Sequence, residues 1–254
     1  MVAYDDRNIC RAIKMNKNSV DYFDKYTPEY AVSRLEYAAT IINQYGHKQN
    51  SLIDIGCGTG NTLEFIKNKT GLENLYGVDV SQSCLLKAKA RVNCDTFLGS
   101  VLDNNFIKEI PKRFDFVLLS AVLHHLIGKT RKESRNYSLL AILNCLKLLK
   151  DNGCLIIAEP TFCPSIAMDI VFYIKKLSTK ITSRRIPIFG KWNNIGAPVV
   201  SYFSDEQLIE MINTIQHCQI IGKDIKEIRL SLLCRLVLIR HRRETTIVVR
   251  KTTD

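Results

Sequence analysis

The chain has 254 residues, of which 46% are hydrophobic and 24% are charged. This length and composition are typical of a globular protein with a sizeable core, and we expect a single domain over residues 1–254. The longest apolar runs are far shorter than the roughly 20 residues of a membrane span. The first residues, MVAYDDRNICRAIK, contain no apolar signal segment, so we expect a cytoplasmic protein.

The net charge of +11 favours an anionic partner, which is nucleic acid, a membrane surface or an acidic substrate. A solvated basic surface without any partner remains the alternative. The nine cysteines are scattered and form no CxxC pair. We therefore expect reduced cysteines in the core and no metal site, since the histidines also form no ligand pair with a carboxylate at helical spacing.

Hydrophobic periodicity predicts a chain that alternates between helices and strands after residue 50. Helices are predicted at 19–23, 28–45, 61–69, 81–92 and 137–149, and strands at 52–55, 75–80, 96–98, 114–120 and 153–159. Thr27 and Ser81 are the expected N-caps of two of these helices, and Gly46 is an expected stop. This alternation predicts an α/β protein with a doubly wound, mostly parallel sheet.

The alternation stops after Pro160, and residues 161–203 form an insert that is both basic and apolar. An apolar helix is predicted at 162–177. The basic residues are Lys175, Lys176, Lys180, Arg184, Arg185 and Lys191, against the single acid Asp169. The insert is interpreted as a pocket lid, as a surface for a membrane or lipophilic acceptor through 161–192, or as a nucleic-acid contact. A helix at 204–215, capped by Ser204, and two or three strands in 218–251 follow.

The stretch LIDIGCGTGN, Leu52 to Asn61, places three glycines directly after a predicted strand. A phosphate loop would need GxxxxGK[ST], and the residues after Gly60 are Asn and Thr. A dinucleotide loop would need GxGxxG, and Gly60 comes one residue too early for it. The remaining pattern is a GxGxG loop with an acid, Asp54, two residues before its first glycine.

Four motifs in order resemble the class I S-adenosylmethionine-dependent methyltransferases, over roughly residues 50–160. They are DIGCGTG at 54–60, GVD at 77–79, FDFVL followed by His124-His125, and LLKDNGCL at 148–155. The resemblance implies a seven-stranded Rossmann-like sheet with helices on both faces. It also implies a helical lid at 1–48, a cofactor-binding core at 49–160, the insert at 161–203, and a helix with strands at 204–254.

The resemblance also implies the site residues. S-adenosylmethionine would contact Asp54, Gly56, Cys57, Gly58, Gly60, Asp79, Val80, Ser100, Val101 and Ser120. Asp79 would bind the ribose hydroxyls. The family often has an acid after the glycine that follows strand 3, and here Ser100 takes that position, with Asp103 as the alternative contact to adenine. His124 or His125 is a candidate general base, against a packing role. Tyr22, Tyr26 and Tyr30 are candidate pocket residues, against an ordinary helix contact.

The sequence therefore predicts an S-adenosylmethionine-dependent methyltransferase that acts on a small molecule, including a lipophilic one, by in-line displacement. One alternative is an RNA methyltransferase that uses the basic surface, although no RNA-binding module is recognisable. The other is a partner protein that binds the cofactor without catalysis. The intact glycines and Asp79 count against this second alternative.

Overall fold

A computed structural model describes residues 33–181, 198–230 and 238–252, with side chains only to residue 177 in the first stretch. Its strands are β1 (Ser51–Ile55), β2 (Asn74–Asp79), β3 (Asp95–Leu98), β4 (Phe114–Ser120), β5 (Leu149–Cys163), β6 (Cys218–Ile228) and β7 (His241–Lys251). They form one seven-stranded sheet in the order β3-β2-β1-β4-β5-β7-β6. β7 is antiparallel to both of its neighbours, and the other pairs are parallel.

The helices follow the strands in alternation. They are α1 (Ser33–Tyr45), α2 (Asn61–Thr70), α3 (Gln82–Val92), α4 (Asn104–Glu109), a 3-10 helix (Leu123–His125), α5 (Arg131–Leu148), α6 (Ser165–Ile181) and α7 (Asp205–Asn213). The strand order reverses between β1 and β4, because β1 pairs with both β2 and β4. In an open α/β sheet, ligands bind at such a reversal, beyond the carboxyl ends of the strands.

Two apolar layers cover the two faces of the sheet. Alternate residues of β1 enter different layers, since Ile53 packs on the α5 and α7 side while Leu52 packs on the side of α1, α2 and α3. This alternation follows from the period of two in a strand. The described part of the chain thus confirms the predicted doubly wound, mostly parallel sheet.

Several predicted boundaries are confirmed by local hydrogen bonds. The hydroxyl of Ser81 accepts from the backbone of Cys84 at the start of α3. Ser204 and Gln207 form a capping box on α7. α1 ends at Tyr45, directly before Gly46. The predicted helix at 19–23 and the Thr27 cap lie outside the described residues.

Other boundaries were wrong for physical reasons. α5 begins at Arg131, six residues before the predicted start at Tyr137, because Thr130 caps it and polar residues fill its first turns. α4 was not predicted, since it has only six residues. β5 continues to Cys163, so the helix predicted from Phe162 begins at Ser165. The divisions at 48, 160 and 203 stay predictions. No described helix is long and apolar enough to cross a bilayer.

Candidate functional site

The glycine loop after β1 is a tight turn that only glycine accommodates at two positions. Gly56 and Gly60 have φ angles of +72° and +83°. A Cβ on Gly56 would lie 2.6 Å from Val122 Cγ2, and a Cβ on Gly60 would lie 2.9 Å from the Cα of Ala88. No side chain caps the start of α2. The loop therefore presents backbone rather than side chains at the strand reversal.

Asp79, at the end of β2, holds the loop in place. Its Oδ2 accepts from the Gly58 backbone N–H at 2.9 Å, and its Oδ1 accepts from the Ser81 N–H at 2.9 Å. A carboxylate at the carboxyl end of a parallel strand can accept hydrogen bonds from the two adjacent hydroxyls of a ribose. This role of Asp79 stays a prediction.

Asp54 lies in β1, two residues before Gly56, and is buried. Burial, and then the charge of Asp79, raise its pKa well above the ordinary value. A cationic ligand beside these two acids would offset both effects. S-adenosylmethionine carries an ammonium and a sulfonium, so the two acids fit this cofactor. Cys57 is also buried, and burial raises the pKa of its thiol.

Further predicted cofactor contacts, among them the candidates for adenine, lie at the ends of β2 and β3. Val80 is 42% exposed beyond Asp79, whereas Val101 is buried. The hydroxyl oxygen of Ser100 accepts from the Leu102 N–H at 3.2 Å, which leaves its proton available for donation. The carboxylate of Asp103 instead accepts from two backbone N–H groups of α4. Asp103 is thus a helix cap, and Ser100 is the better candidate.

The segment after β4 is held by one buried carboxylate from β5. Ser120 ends β4 and is buried. The backbone N–H groups of Val122 and Leu123 both donate to Glu159 Oε1 at 2.7 Å. The other oxygen, Oε2, lies 2.6 Å from His124 Nδ1. Glu159 therefore fixes both the 3-10 helix and the His124 ring.

Burial dominates the electrostatics of this pair. It raises the pKa of Glu159 to about 7, against hydrogen bonds from Leu123 and the charge of Arg34, which lower it. It lowers the pKa of His124 to about 3, and Arg34 contributes in the same direction. His124 is thus neutral near pH 7. The pKa of the neighbouring His125 is also lowered, first by burial and then by His124.

Other buried groups surround the His124–Glu159 pair. The ring of Tyr202 stacks on that of His124 with centroids 5.0 Å apart, and Phe162 packs on Tyr202 at 4.5 Å. Arg34, in α1, makes an ion pair with Glu244 of β7 at 3.0 Å. The charge of Lys175 of α6 also lowers the pKa of His125. Burial lowers the pKa of Lys175 itself to about 8.

The structure therefore brings the predicted residues of the loop, β2 and β4 to one edge of the sheet. The assignments of individual residues to cofactor, base and pocket stay predictions. Tyr22, Tyr26 and Tyr30 lie outside the described residues. The sequence reading missed Glu159, although an acid that ends an apolar strand, as Asp79 does, was an available signal. Nothing in the sequence pointed to Arg34, Tyr202 or Glu244.

One cluster outside this edge has the composition of a metal site. The ligand atoms of Cys163, Asp205 and Glu206 lie within 4.8 Å of one another. The guanidinium of Arg243, however, donates to both carboxylate oxygens of Asp205 at 2.9 Å. A cationic side chain already neutralises the cluster, so these residues do not fit a metal ion.

Comparisons with known proteins identify similar methyltransferases. Residues 53–155 match the family model described as a methyltransferase domain. The chain is 28% identical over 138 residues to the ribosomal RNA small subunit methyltransferase C of Buchnera aphidicola subsp. Schizaphis graminum, covering 54% of this chain and 38% of that protein. It is 28% identical over 160 residues to the mitochondrial ubiquinone biosynthesis O-methyltransferase of Candida albicans, covering 54% and 48%. The chain thus spans about half or less of these relatives.

A solved structure shows the same fold over nearly the whole chain. The N-methyltransferase NodS from Bradyrhizobium japonicum WM9, in complex with S-adenosyl-L-homocysteine, has a TM-score of 0.55 at 12% identity. The match covers 97% of this chain and 100% of that one. The chain therefore shares a Rossmann-like fold with that methyltransferase. The match of residues 53–155 to the methyltransferase-domain model agrees with the resemblance to class I S-adenosylmethionine-dependent methyltransferases seen in the sequence.

Proposed function

We propose that this protein transfers a methyl group from S-adenosylmethionine to a small-molecule acceptor that loses a proton, such as a hydroxyl compound. The observation that carries the proposal is the buried His124–Glu159 pair, whose atoms Nδ1 and Oε2 are 2.6 Å apart. The pair adjoins the glycine loop, because Val122, two residues before His124, occupies the space beside Gly56. A base next to the donor loop suits an acceptor that must be deprotonated.

The donor side is held by groups already described. Asp79 accepts the ribose hydroxyls at the end of β2, Asp54 faces the cationic part, and Ser100 donates to adenine. When bound, S-adenosylmethionine supplies a methyl group on a positively charged sulfur. The acceptor displaces this sulfur in line, and the carbon–sulfur electron pair stays on the sulfur. The protein contributes by positioning the acceptor and excluding water.

The acceptor side provides the base. An ionised Glu159 accepts the Nδ1 proton of a neutral His124, and this hydrogen bond leaves the lone pair on Nε2. Nε2 then takes the hydroxyl proton while the acceptor oxygen bonds to the methyl carbon. Glu159 positions His124 and does not itself touch the acceptor. The arrangement follows the logic of a base that is oriented by a buried carboxylate.

The surroundings of His124 favour a small acceptor over RNA. Phe162 and Tyr202 place aromatic surface beside His124, which suits an aromatic or aliphatic compound. The ubiquinone biosynthesis O-methyltransferase among the relatives supports a lipophilic hydroxyl acceptor. The ribosomal RNA methyltransferase among them supports the alternative of an RNA acceptor.

The test combines binding with transfer. Calorimetry with S-adenosylhomocysteine establishes the donor site, and Asp79→Ala is the matched variant. Labelled methyl transfer is then measured with phenols and catechols, with amines, and with total RNA as separate acceptors. We expect transfer to a hydroxyl compound. Transfer to RNA alone would favour the alternative, and binding without transfer to any acceptor class would favour a non-catalytic partner protein.

A further inference from the structure

α6 presents a continuous apolar stripe to solvent. Ile166, Ile170, Tyr173, Ile174 and Leu177 recur at the spacing of one helix face, and each is at least half exposed. Single exposed apolar residues are ordinary on a protein surface, but a contiguous group marks a site of interaction. We call these five residues the apolar stripe.

The described part of the chain does not pack against the apolar stripe. The opposite face of α6 carries Phe172, which is buried, and Ala167 and Met168, which form a small buried cluster with Phe162 and Ile239. Lys176 fastens the helix to the start of α5 through the carbonyl of Gly128. The helix is thus anchored on one side while five large apolar side chains face outward on the other.

The charge around the apolar stripe is positive. Asp169 is the one acid in α6, and it is paired with Arg131 at 2.7 Å and with Arg135 at 3.6 Å. The neighbouring segment at the start of α5 adds the exposed Lys129 and Lys132. An apolar helix face bordered by basic residues, with a tyrosine among them, is complementary to an anionic bilayer surface.

We propose that the apolar stripe docks the protein on an anionic lipid surface, where α6 lies in the plane of the interface. α6 begins two residues after β5, the strand that carries Glu159, and the start of α5 follows the segment that carries His124. A docked α6 therefore places the bilayer beside the acceptor side of the site. The docking surface goes beyond the proposed function, because it concerns location rather than methyl transfer.

The test measures binding of the full chain to vesicles. Vesicles of phosphatidylcholine alone are compared with vesicles containing phosphatidylglycerol, at low and high salt. The variant Ile170→Ser with Ile174→Ser interrupts the stripe, and Leu86→Ser, at an equally exposed position on α3, is the matched control. Calorimetry with S-adenosylhomocysteine reports the donor site in every variant, so a failure of docking is distinguishable from a failure of the proposed function.

We expect the wild type to bind the anionic vesicles, more weakly at high salt. The double variant should bind at least about tenfold more weakly, because two isoleucines that enter the bilayer on docking are replaced by polar side chains. Leu86→Ser should change binding by less than about twofold. Absence of vesicle binding by the wild type would overturn the proposal. Equal binding by the wild type and the double variant would also overturn it. The proposal would fail too if the wild type formed a dimer that the double variant abolished while vesicle binding stayed unchanged.

Discussion

The proposed donor side and the proposed acceptor side of this site are built in different ways. The donor side consists of backbone from one short loop and two acids in neighbouring strands, and apart from Ser120 its residues lie within the stretch from Asp54 to Val101. The acceptor side consists of side chains from separate elements, in α1, the 3-10 helix, β5 and β7. A ligand shared by a whole family can be held by backbone geometry, whereas the variable ligand requires side chains. The predictions below test this difference.

The largest effect is expected from Glu159→Gln. Two backbone N–H groups hold the Oε1 position, so the carbonyl oxygen of glutamine takes it and the amide NH₂ faces His124 Nδ1. Nδ1 must then accept, and the ring proton moves to Nε2. We expect kcat to fall about 100-fold or more, since a general base contributes about 10²–10⁴.

Separate measurements of kcat and of donor affinity in Glu159→Gln distinguish the acceptor side from the donor side. Affinity for S-adenosylhomocysteine, measured by calorimetry, should stay within about twofold. Glu109→Gln, at an exposed position of α4, is the control and should keep full kcat. Full turnover in folded Glu159→Gln would remove His124 as the base.

The next effect is the loss of donor affinity in Asp79→Ala. The variant removes both hydrogen bonds that hold the loop and both acceptors for the ribose. Hydrogen bonds to a charged group contribute about 1.5–3 kcal/mol each, so we expect affinity for S-adenosylhomocysteine to fall about 100-fold or more. Calorimetry measures this affinity, and the control is Asp151→Ala, at a highly exposed position. Unchanged affinity in a folded Asp79→Ala protein would contradict the donor site.

A smaller effect is expected from pH. Burial raises the pKa of Glu159 to about 7, so below that pH Glu159 is protonated and donates to His124 Nδ1, which displaces the ring proton to Nε2. Above it, the ionised carboxylate accepts from Nδ1 and the base is available. His124 itself, with a pKa of about 3, does not charge in this range. We expect kcat to rise with pH through about 7, by up to about tenfold per unit.

The pH profile is measured at saturating donor and acceptor. In Glu159→Gln the profile should be flat through the same range, because the titrating group is gone. A profile in the variant that still rises through about 7 would assign the titration to another group.

The smallest effect is expected from Ser100→Ala. One neutral hydrogen bond is worth about 1 kcal/mol, so affinity for S-adenosylhomocysteine should fall about fivefold. The matched ligand is a deaza analogue in which carbon replaces the adenine ring nitrogen that accepts from Ser100. Ser100→Ala should not weaken its binding further. An equal loss with both ligands would show that Ser100 acts through the loop, where it accepts from Leu102.

Most of the donor side was predictable from the sequence. The short apolar strand at 51–55, the glycines with left-handed φ and the acid at the end of β2 are local signals, and each lies within a few residues of the next. The start of α5 was not predictable. Arg131 is buried there through bonds to Asp169, Ser201 and the carbonyl of Tyr202, which are distant in sequence.

The acceptor side was predictable only at its histidines. His124 follows a recognisable strand, but its partner Glu159 lies 35 residues away. Arg34 and Glu244 meet only because α1 packs on β7, and sequence periodicity does not indicate such a pairing. Local patterns therefore fix which strands and helices form, while the tertiary contacts decide which side chains share the pocket.

The position of β7 has a consequence for how the protein is made. β7 is the last described strand to leave the ribosome, yet it lies between β5 and β6 and pairs with β5 from Cys154 to Cys163. Until residues 241–251 are synthesised, β5 has a long free edge whose N–H and C=O groups can pair with another chain. We therefore expect released chains truncated before residue 241 to recruit chaperones or aggregate, and released chains that include residues 241–251 to escape both.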